Sequence, residues 1–487
     1  MRFARHWGVA EGMTGALWRW DELIAAAGAT ADGAPDVPIT GFSIDPRLLH
    51  PGEVFVALRD ARDGHDYVTE AFRRGAAAAL VETGYARASG DGALLRVGSP
   101  LEGLRAIAAA ARRRSAARIV AVTGSVGKTG TKEALRNCLS RLGPTHAAER
   151  SFNNHWGVPL TLARMPAEAR YGVFEIGMNH AGEITPLATL VRPHVAIVTT
   201  VEPVHLQFFG SVEAIAEAKA EIFAGLEPGG TAVLNRDNAY FDLLARAARE
   251  HGARVVSFGR HEMADVRAEV WALESDGSNI IARLGDKRIA YRVGAPGAHI
   301  AQNSLAVVAA LDALGADVEK AVPALTEMRA AKGRGERREV ALNSGPMLLI
   351  DESYNANPAS MRSALSAMAT VPRERFPRRI AVLGDMLELG EDAGRWHEAL
   401  NEPVDAAEVD LVFACGPHMQ RLFSALPAAR RGAWAPTSQG IVTPLVRAVQ
   451  SGDVVMVKGS LGSRMVPLVE ALLHKGEEEH ARVASRE

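Results

Sequence analysis

The chain has 487 residues, too many for one hydrophobic core, and at roughly 100–200 residues per domain it divides into about three units. With 47% hydrophobic and 23% charged residues and a net charge of −2, it lacks the basic excess that draws proteins to nucleic acid or acidic membranes. No window approaches the roughly 18 consecutive apolar residues of a membrane span, and the N-terminal stretch has no unbroken apolar run of the signal-peptide kind.

Two cysteines, Cys138 and Cys415, fall on apolar segments and read as core thiols, which suits a reducing cytoplasm. Patterned structure begins only near residue 16, which makes Met13 a second candidate start. The first unit, expected over 1–98, carries a short amphipathic helix over 17–27 and strands over 39–45 and 54–58 on either side of Pro51-Gly52. A helix over 67–75 and a strand over 78–82 follow. Ser43, Asp45, Arg47, Asp63, Gly64 and His65 gather in its loops, where solvation explains them more readily than a site does.

The second unit, expected over 99–328, alternates strand and helix, the pattern of a parallel sheet covered on both faces. Its organising stretch is a β-branched strand over 119–122, then Thr123-Gly-Ser-Val-Gly-Lys-Thr129, then a helix over 132–142. This reads as a phosphate-binding loop. Gly124 and Gly127 let backbone N–H groups, including those of Ser125 and Val126, curl around a phosphate. Lys128 reaches the terminal phosphates and the Thr129 hydroxyl suits Mg²⁺. Val122 stands where the longer form of this motif has its first glycine.

Further along, a strand over 171–176 ends at Glu175-Ile-Gly-Met-Asn-His180, and one over 195–201 leads to Glu202-Pro-Val-His205. A helix over 212–226 contains Ala218-Lys-Ala-Glu-Ile-Phe223. Ligands of open parallel sheets bind beyond the carboxyl ends of the strands, so Gly124, Glu175 and His205 are expected to share a pocket. His299 and Asn303 are four apart on an alanine-rich helix and face one way, as surface decoration or as part of a site.

The third unit, expected over 329–487, has strands over 347–350, 379–383, 411–414 and 453–457 in a Rossmann-like doubly wound layout. Polar motifs follow its strands: Asp351-Glu-Ser-Tyr-Asn-Ala-Asn-Pro358, Gly384-Asp-Met-Leu-Glu-Leu-Gly390 and Lys458-Gly-Ser-Leu-Gly-Ser-Arg464. Three such motifs at one sheet edge favour a site over ordinary turns.

Together with Ser151-Phe-Asn-Asn154, these motifs resemble the Mur ligases of peptidoglycan synthesis, over nearly all of the chain after residue 16. The resemblance implies three α/β domains: one for a uridine nucleotide, a central ATPase and a C-terminal Rossmann-like domain. It implies an ADP-forming amide ligase working through an acyl phosphate, and the third-unit motifs point to the member that adds D-alanyl-D-alanine to UDP-N-acetylmuramoyl-tripeptide. ATP and two Mg²⁺ ions are implied as cofactors, and a cytoplasmic monomer with no nucleic-acid or membrane partner as the setting.

Residue by residue, the resemblance implies Lys128, Glu175, His205 and Lys219 as catalytic residues. Thr129 would ligate one Mg²⁺, and Glu175, His205 and Lys219 a second. An ammonium is repelled by divalent cations, and the resemblance implies that Lys219 meets this by being N6-carboxylated by CO₂. Gly124, Ser125, Val126, Gly127, Lys128 and Thr129 would hold ATP phosphates, His299 and Asn303 the adenine, and Arg334 and Asp351 the nucleotide from the third domain. Asn153, Asn154 and Arg192 would lie along the muramoyl-peptide path, Asn355, Asn357 and Arg464 would orient D-Ala-D-Ala, and Ser43, Asp45 and Arg47 would face the uridine nucleotide.

Thr199-Thr200 stands where many relatives have asparagine, Ile300 follows His299 where asparagine is common, and Glu352 replaces a frequent aspartate. The alternatives are another amide ligase of the superfamily, adding the third stem residue or glutamate to folate, and an ATP-gated binding protein. The Asp-Asn-Pro-Arg tetrapeptide of the former's C-terminal site is not present.

Overall fold

β-branched runs closed by glycine turns form buried strands, and the alanine- and leucine-rich segments between them form the covering helices. The computed structural model describes residues 15–149, 151–204, 206–330 and 332–484, which build sheets of five, nine and six strands. Met13 lies outside the described residues. No helix among the described residues is long and apolar enough to cross a membrane.

The first sheet runs Thr30–Asp32, Ala93–Val97, Ala78–Glu82, Glu53–Val56, Gly41–Ser43, parallel except for its first strand. Of its expected strands, Ala78–Glu82 is present as read and the other two are shorter, and Thr30–Asp32 and Ala93–Val97 are additional. This sheet shares its core with the second. Leu104, Ile107 and Ala111 of the helix Pro100–Arg114 and Leu160 and Ala163 of the helix Gly157–Ala163 pack among Phe42, Val54 and Leu80. Trp18 Nε1 donates to the Ala163 carbonyl at 3.0 Å, and the Arg114 guanidinium lies 3.5 Å over the Trp18 ring.

The second sheet places Arg118–Thr123 between Tyr171–Glu175 and Val195–Val198, all parallel. The parallel order continues through Thr231–Asn235 and Arg254–Gly259 to the start of Val266–Glu274. There the expectation of a uniformly parallel sheet fails. Val266–Glu274, Gly277–Leu284 and Lys287–Val293 form antiparallel hairpins through the short turns Ser275-Asp276 and Gly285-Asp286. Their alternating burial marks a sheet with one wet face, which needs no crossover helices.

The third sheet runs Glu336–Leu342, Gly345–Glu352, Asp453–Lys458, Arg378–Gly384, Leu411–Cys415, Arg431–Ala435, parallel apart from its first strand. Glu352 and Lys458 therefore end adjacent strands at one edge, facing the second sheet.

Candidate active site

The strand Arg118–Thr123 passes through the glycine loop directly into the helix Lys128–Ser140, four residues earlier than the pattern of apolar residues suggested. Gly127 explains the early start: its φ of 88° is a left-handed conformation open to glycine, and it caps the helix. A Cβ on Gly127 would come within 2.2 Å of Asn303 Nδ2, so the expected Asn303 is pressed directly onto the loop. Gly124, at φ 143°, leaves the same kind of room for Thr199, whose Oγ1 would be 1.9 Å from an added Cβ. The Thr199 hydroxyl donates to the Val126 carbonyl at 2.6 Å, and Thr200 O accepts from Ser125 N at 2.9 Å. The two threonines that depart from the family pattern thus brace the loop from the neighbouring strand.

Lys128 folds back so that Nζ donates to Gly124 O at 2.6 Å. Burial pulls its pKa below the ordinary lysine value, with Glu175 opposing the shift and Arg334 adding to it. Glu175, only 2% exposed, accepts from Thr129 Oγ1 at 2.9 Å through one oxygen and from Asn153 Nδ2 at 2.7 Å through the other. Ser151 Oγ lies 3.3 Å from the same threonine hydroxyl.

Lys219 sits near the end of the helix Val212–Ala220 and is 3% exposed. Two residues on, Glu221 ties this segment down by accepting from the backbone N–H groups of Gly182, Ile184 and Thr185. Desolvation first, and then repulsion from Lys128, hold the Lys219 pKa well below the ordinary lysine value. His205 lies outside the described residues.

Among the described residues no group of three His, Cys, Asp or Glu side chains could hold a metal ion alone. The hard oxygens of Thr129 and Glu175, one carboxylate with a hydroxyl, are nevertheless the donor set that Mg²⁺ takes when phosphate supplies the rest.

Loop and carboxylate open into a cavity of about 360 Å³ between the second and third sheets. Of the expected residues, Ser125, Val126, Gly127, Lys128, Thr129, Asn153, Glu175, His299, Asn303, Arg334, Asn355 and Asn357 line it. His299 Nδ1 is buried without a hydrogen-bond partner, and burial lowers the pKa of the ring. Asp351 lies beneath the lining, accepting from Gly333 N at 3.2 Å and Ser353 N at 3.0 Å. It thereby fixes the segment carrying Arg334, whose guanidinium lies 4.0 Å over the Tyr354 ring. The third sheet also contributes a buried ion pair, Lys458 Nζ to Glu352 Oε2 at 3.2 Å, with the ammonium donating to Asn355 O at 2.9 Å.

Residues 122–311 match the family model of the Mur ligase middle domain, and 333–461 that of the Mur ligase glutamate ligase domain. The UDP-N-acetylmuramoyl-tripeptide--D-alanyl-D-alanine ligase of Escherichia coli strain K12 is 34% identical, across 91% of this chain and 95% of its own length. The chain belongs to the Mur ligase family. A crystal structure of MurF from Acinetobacter baumannii superposes with a TM-score of 0.82 at 31% identity, covering 94% of this Mur ligase and 99% of that chain. MurF ligase from Thermotoga maritima in complex with ADP superposes at 0.76 with 26% identity, covering 90% and 98%.

Several expected residues of this Mur ligase lie away from the cavity. Arg192 precedes the strand Val195–Val198, so it falls at the amino end of the sheet, where its guanidinium pairs with Glu227 at 2.8 Å. Asn154 accepts from Trp156 N and Gly157 N and opens a helix. Ser43, Asp45 and Arg47 bond to one another within one turn, with Ser43 buried at the end of the strand Gly41–Ser43 rather than in a solvated loop. Arg464, at φ 52°, is exposed beyond the cavity lining, although its motif begins with Lys458 inside it. Asn137, Glu352, Tyr354 and Lys458 were not expected in the site; only the last three sat in motifs that could have nominated them.

Proposed function

We propose that this Mur ligase joins D-alanyl-D-alanine to UDP-N-acetylmuramoyl-tripeptide using ATP, the step that completes the UDP-MurNAc-pentapeptide. The observation carrying this reading is the buried Glu175 carboxylate, held by Thr129 and Asn153 beside Lys128, in a cavity closed by the strand ends of a second sheet. A carboxylate is a poor acylating agent, and its attack on the γ-phosphate brings two anions together. In the first step a tripeptide carboxylate oxygen bonds to the γ-phosphorus and ADP leaves. In the second the dipeptide amine bonds to the acyl carbon, phosphate leaves with that oxygen, and the nitrogen loses a proton.

Lys128 supplies fixed positive charge at the phosphate loop, and the loop N–H groups orient the phosphates before reaction. Mg²⁺, when bound, neutralises phosphate charge and polarises the transferring group; Thr129 would hold one ion, and Glu175, His205 and Lys219 a second. Lys219 fits that role only as an anion. Buried beside Lys128, its neutral amine is favoured, and addition of that amine to CO₂ with loss of a proton gives the N6-carboxyl. Regions 1–98, 99–328 and 329–487 act as the uridine-nucleotide, ATP and amine-acceptor domains of a cytoplasmic monomer. Arg334 and Asp351 bring the third to the nucleotide, and Asn355 and Asn357 with Lys458 face the dipeptide.

The test is phosphate release from ATP, Mg²⁺ and UDP-N-acetylmuramoyl-tripeptide, with and without D-Ala-D-Ala, with the product weighed. The proposal expects release that depends on the dipeptide and a product heavier by D-Ala-D-Ala less water. Turnover with a free amino acid instead would move this chain to another ligase of the family.

A further inference from the structure

The cavity has a lobe that phosphate chemistry leaves unused. It lies between the helices Lys128–Ser140 and Ala298–Ala313, with Ala134, Ala295, Ile300 and Met328 as apolar walls. Asn137 also lines it, eight residues beyond Thr129 on the same helix, or about 12 Å at 1.5 Å per residue. That is the reach of a nucleotide from its phosphates to its base, and an apolar slot between two helices is what a purine ring fills.

Several polar groups around this lobe are engaged, although the Nδ1 of His299 and the hydroxyl of Thr131 in the same cavity are not. The Ser304 hydroxyl donates to Ala301 O at 2.6 Å and lies 2.9 Å from the Tyr291 hydroxyl. Arg329 donates to the carbonyls of Thr326 and Met328, and Glu133 pairs with Lys132 and Arg136, whereas the Asn303 amide packs on Gly127 with no hydrogen bond among the described residues. Asn137 is half-buried and makes no protein hydrogen bond among the described residues. A carboxamide facing an apolar slot with both its donor and its acceptor unspent asks for a ligand edge offering an acceptor beside a donor. Adenine has such an edge, its 6-amino group next to a ring nitrogen.

We propose that Asn137 is a specificity-determining residue for the nucleotide base, pairing its carboxamide with the 6-amino group and adjoining ring nitrogen of adenine. This rests on the use of ATP and adds a base-reading residue to His299 and Asn303, the residues expected at the adenine. Guanine presents a carbonyl where adenine has its amine, and a base without the 6-substituent leaves the Asn137 oxygen unpaired, which is where rejection by a polar site comes from.

The experiment is calorimetric titration of the full chain with Mg²⁺-ATP and Mg²⁺-purine riboside triphosphate, which lacks the 6-amino group, in the absence of tripeptide. Wild type is expected to bind the analogue at least tenfold more weakly than ATP. Asn137→Leu is expected to bind both equally, within about twofold, with ATP affinity down about tenfold. Asn137→Ser, smaller and polar, repeats the measurement should the leucine perturb folding, and thermal unfolding checks both. Loss of ATP preference in the variants supports the assignment. A preference unchanged by either variant, or absent in wild type, overturns it. Because nothing is turned over, failure of the ligation assay with base preference intact would strike only the proposed ligase reaction.

Discussion

Gly127→Ala tests the link between the phosphate loop and the helix that carries Asn303. The new Cβ would sit at φ 88°, where a side-chain residue costs about 1 kcal/mol relative to glycine. It would also meet Asn303 Nδ2 at 2.2 Å, with Asn303 Cγ at 3.2 Å, so the flexible amide must swing away. The first effect is one of backbone strain and remains whatever occupies position 303. The second is steric and vanishes once the amide is gone.

Gly127→Ala alone is therefore expected to raise the ATP KM about tenfold, or ~1.4 kcal/mol, and to lower stability by roughly 1–2 kcal/mol. In an Asn303→Ala background the same change should raise KM by no more than about threefold, because the displaced group has been removed. The assay is a double-mutant cycle on ATP KM in the ligation reaction, with thermal unfolding of all four proteins. Additive effects, the double variant losing the full sum, would refute the contact as the source of the cost.

Three further outcomes follow from the same geometry. Glu175→Gln keeps the shape that meets Thr129 and Asn153 but removes the buried charge, so kcat should fall about 10²–10³-fold with Tm unchanged or raised; a near-normal kcat would remove Glu175 from the chemistry. Lys219→Ala should abolish a ¹³C-carbamate NMR signal seen in wild type under labelled bicarbonate and cut activity by at least about 10²-fold; full activity without bicarbonate dependence contradicts the carboxylated lysine. Burial holds the His146 pKa down at about 4, against an ordinary value of 6.5, while its Nε2 bonds to Thr161 O at 2.7 Å. The unfolded chain therefore binds the extra proton first, and stability present above about pH 6.5 drains away as pH falls toward 4. Since the side chain is partly exposed, ~1–2 kcal/mol is the expected size; His146→Gln should flatten that slope in urea melts, and an unchanged slope would contradict it.

The phosphate loop was legible because everything it needs is consecutive: a β-branched strand, two glycines, Lys128-Thr129 and a helix. Glu175 followed from the rule that sites sit at carboxyl ends of parallel strands, Asn153 only from the family resemblance, and the structure joins them by a 2.7 Å bond. The same rule, applied to Arg192, would have rejected it, since that residue precedes its strand. The hairpins over 266–293 were missed because the strand–helix alternation was extended through them, although burial alternates along their strands as in a sheet with one wet face. Asn137 carried no signal at all. A single asparagine on a helix acquires meaning only when a second helix and the segment around Met328 wall a slot in front of it.

The central claim is that a carboxylate oxygen of the tripeptide passes to phosphate on the way to the amide. The direct measurement supplies UDP-N-acetylmuramoyl-tripeptide labelled with ¹⁸O in the reacting carboxylate, with ATP, Mg²⁺ and D-Ala-D-Ala, and weighs the released phosphate. One ¹⁸O per phosphate, in step with amide formation, is the expected result. Unlabelled phosphate alongside amide product would contradict an acyl phosphate and the role given to the loop, Lys128 and Glu175.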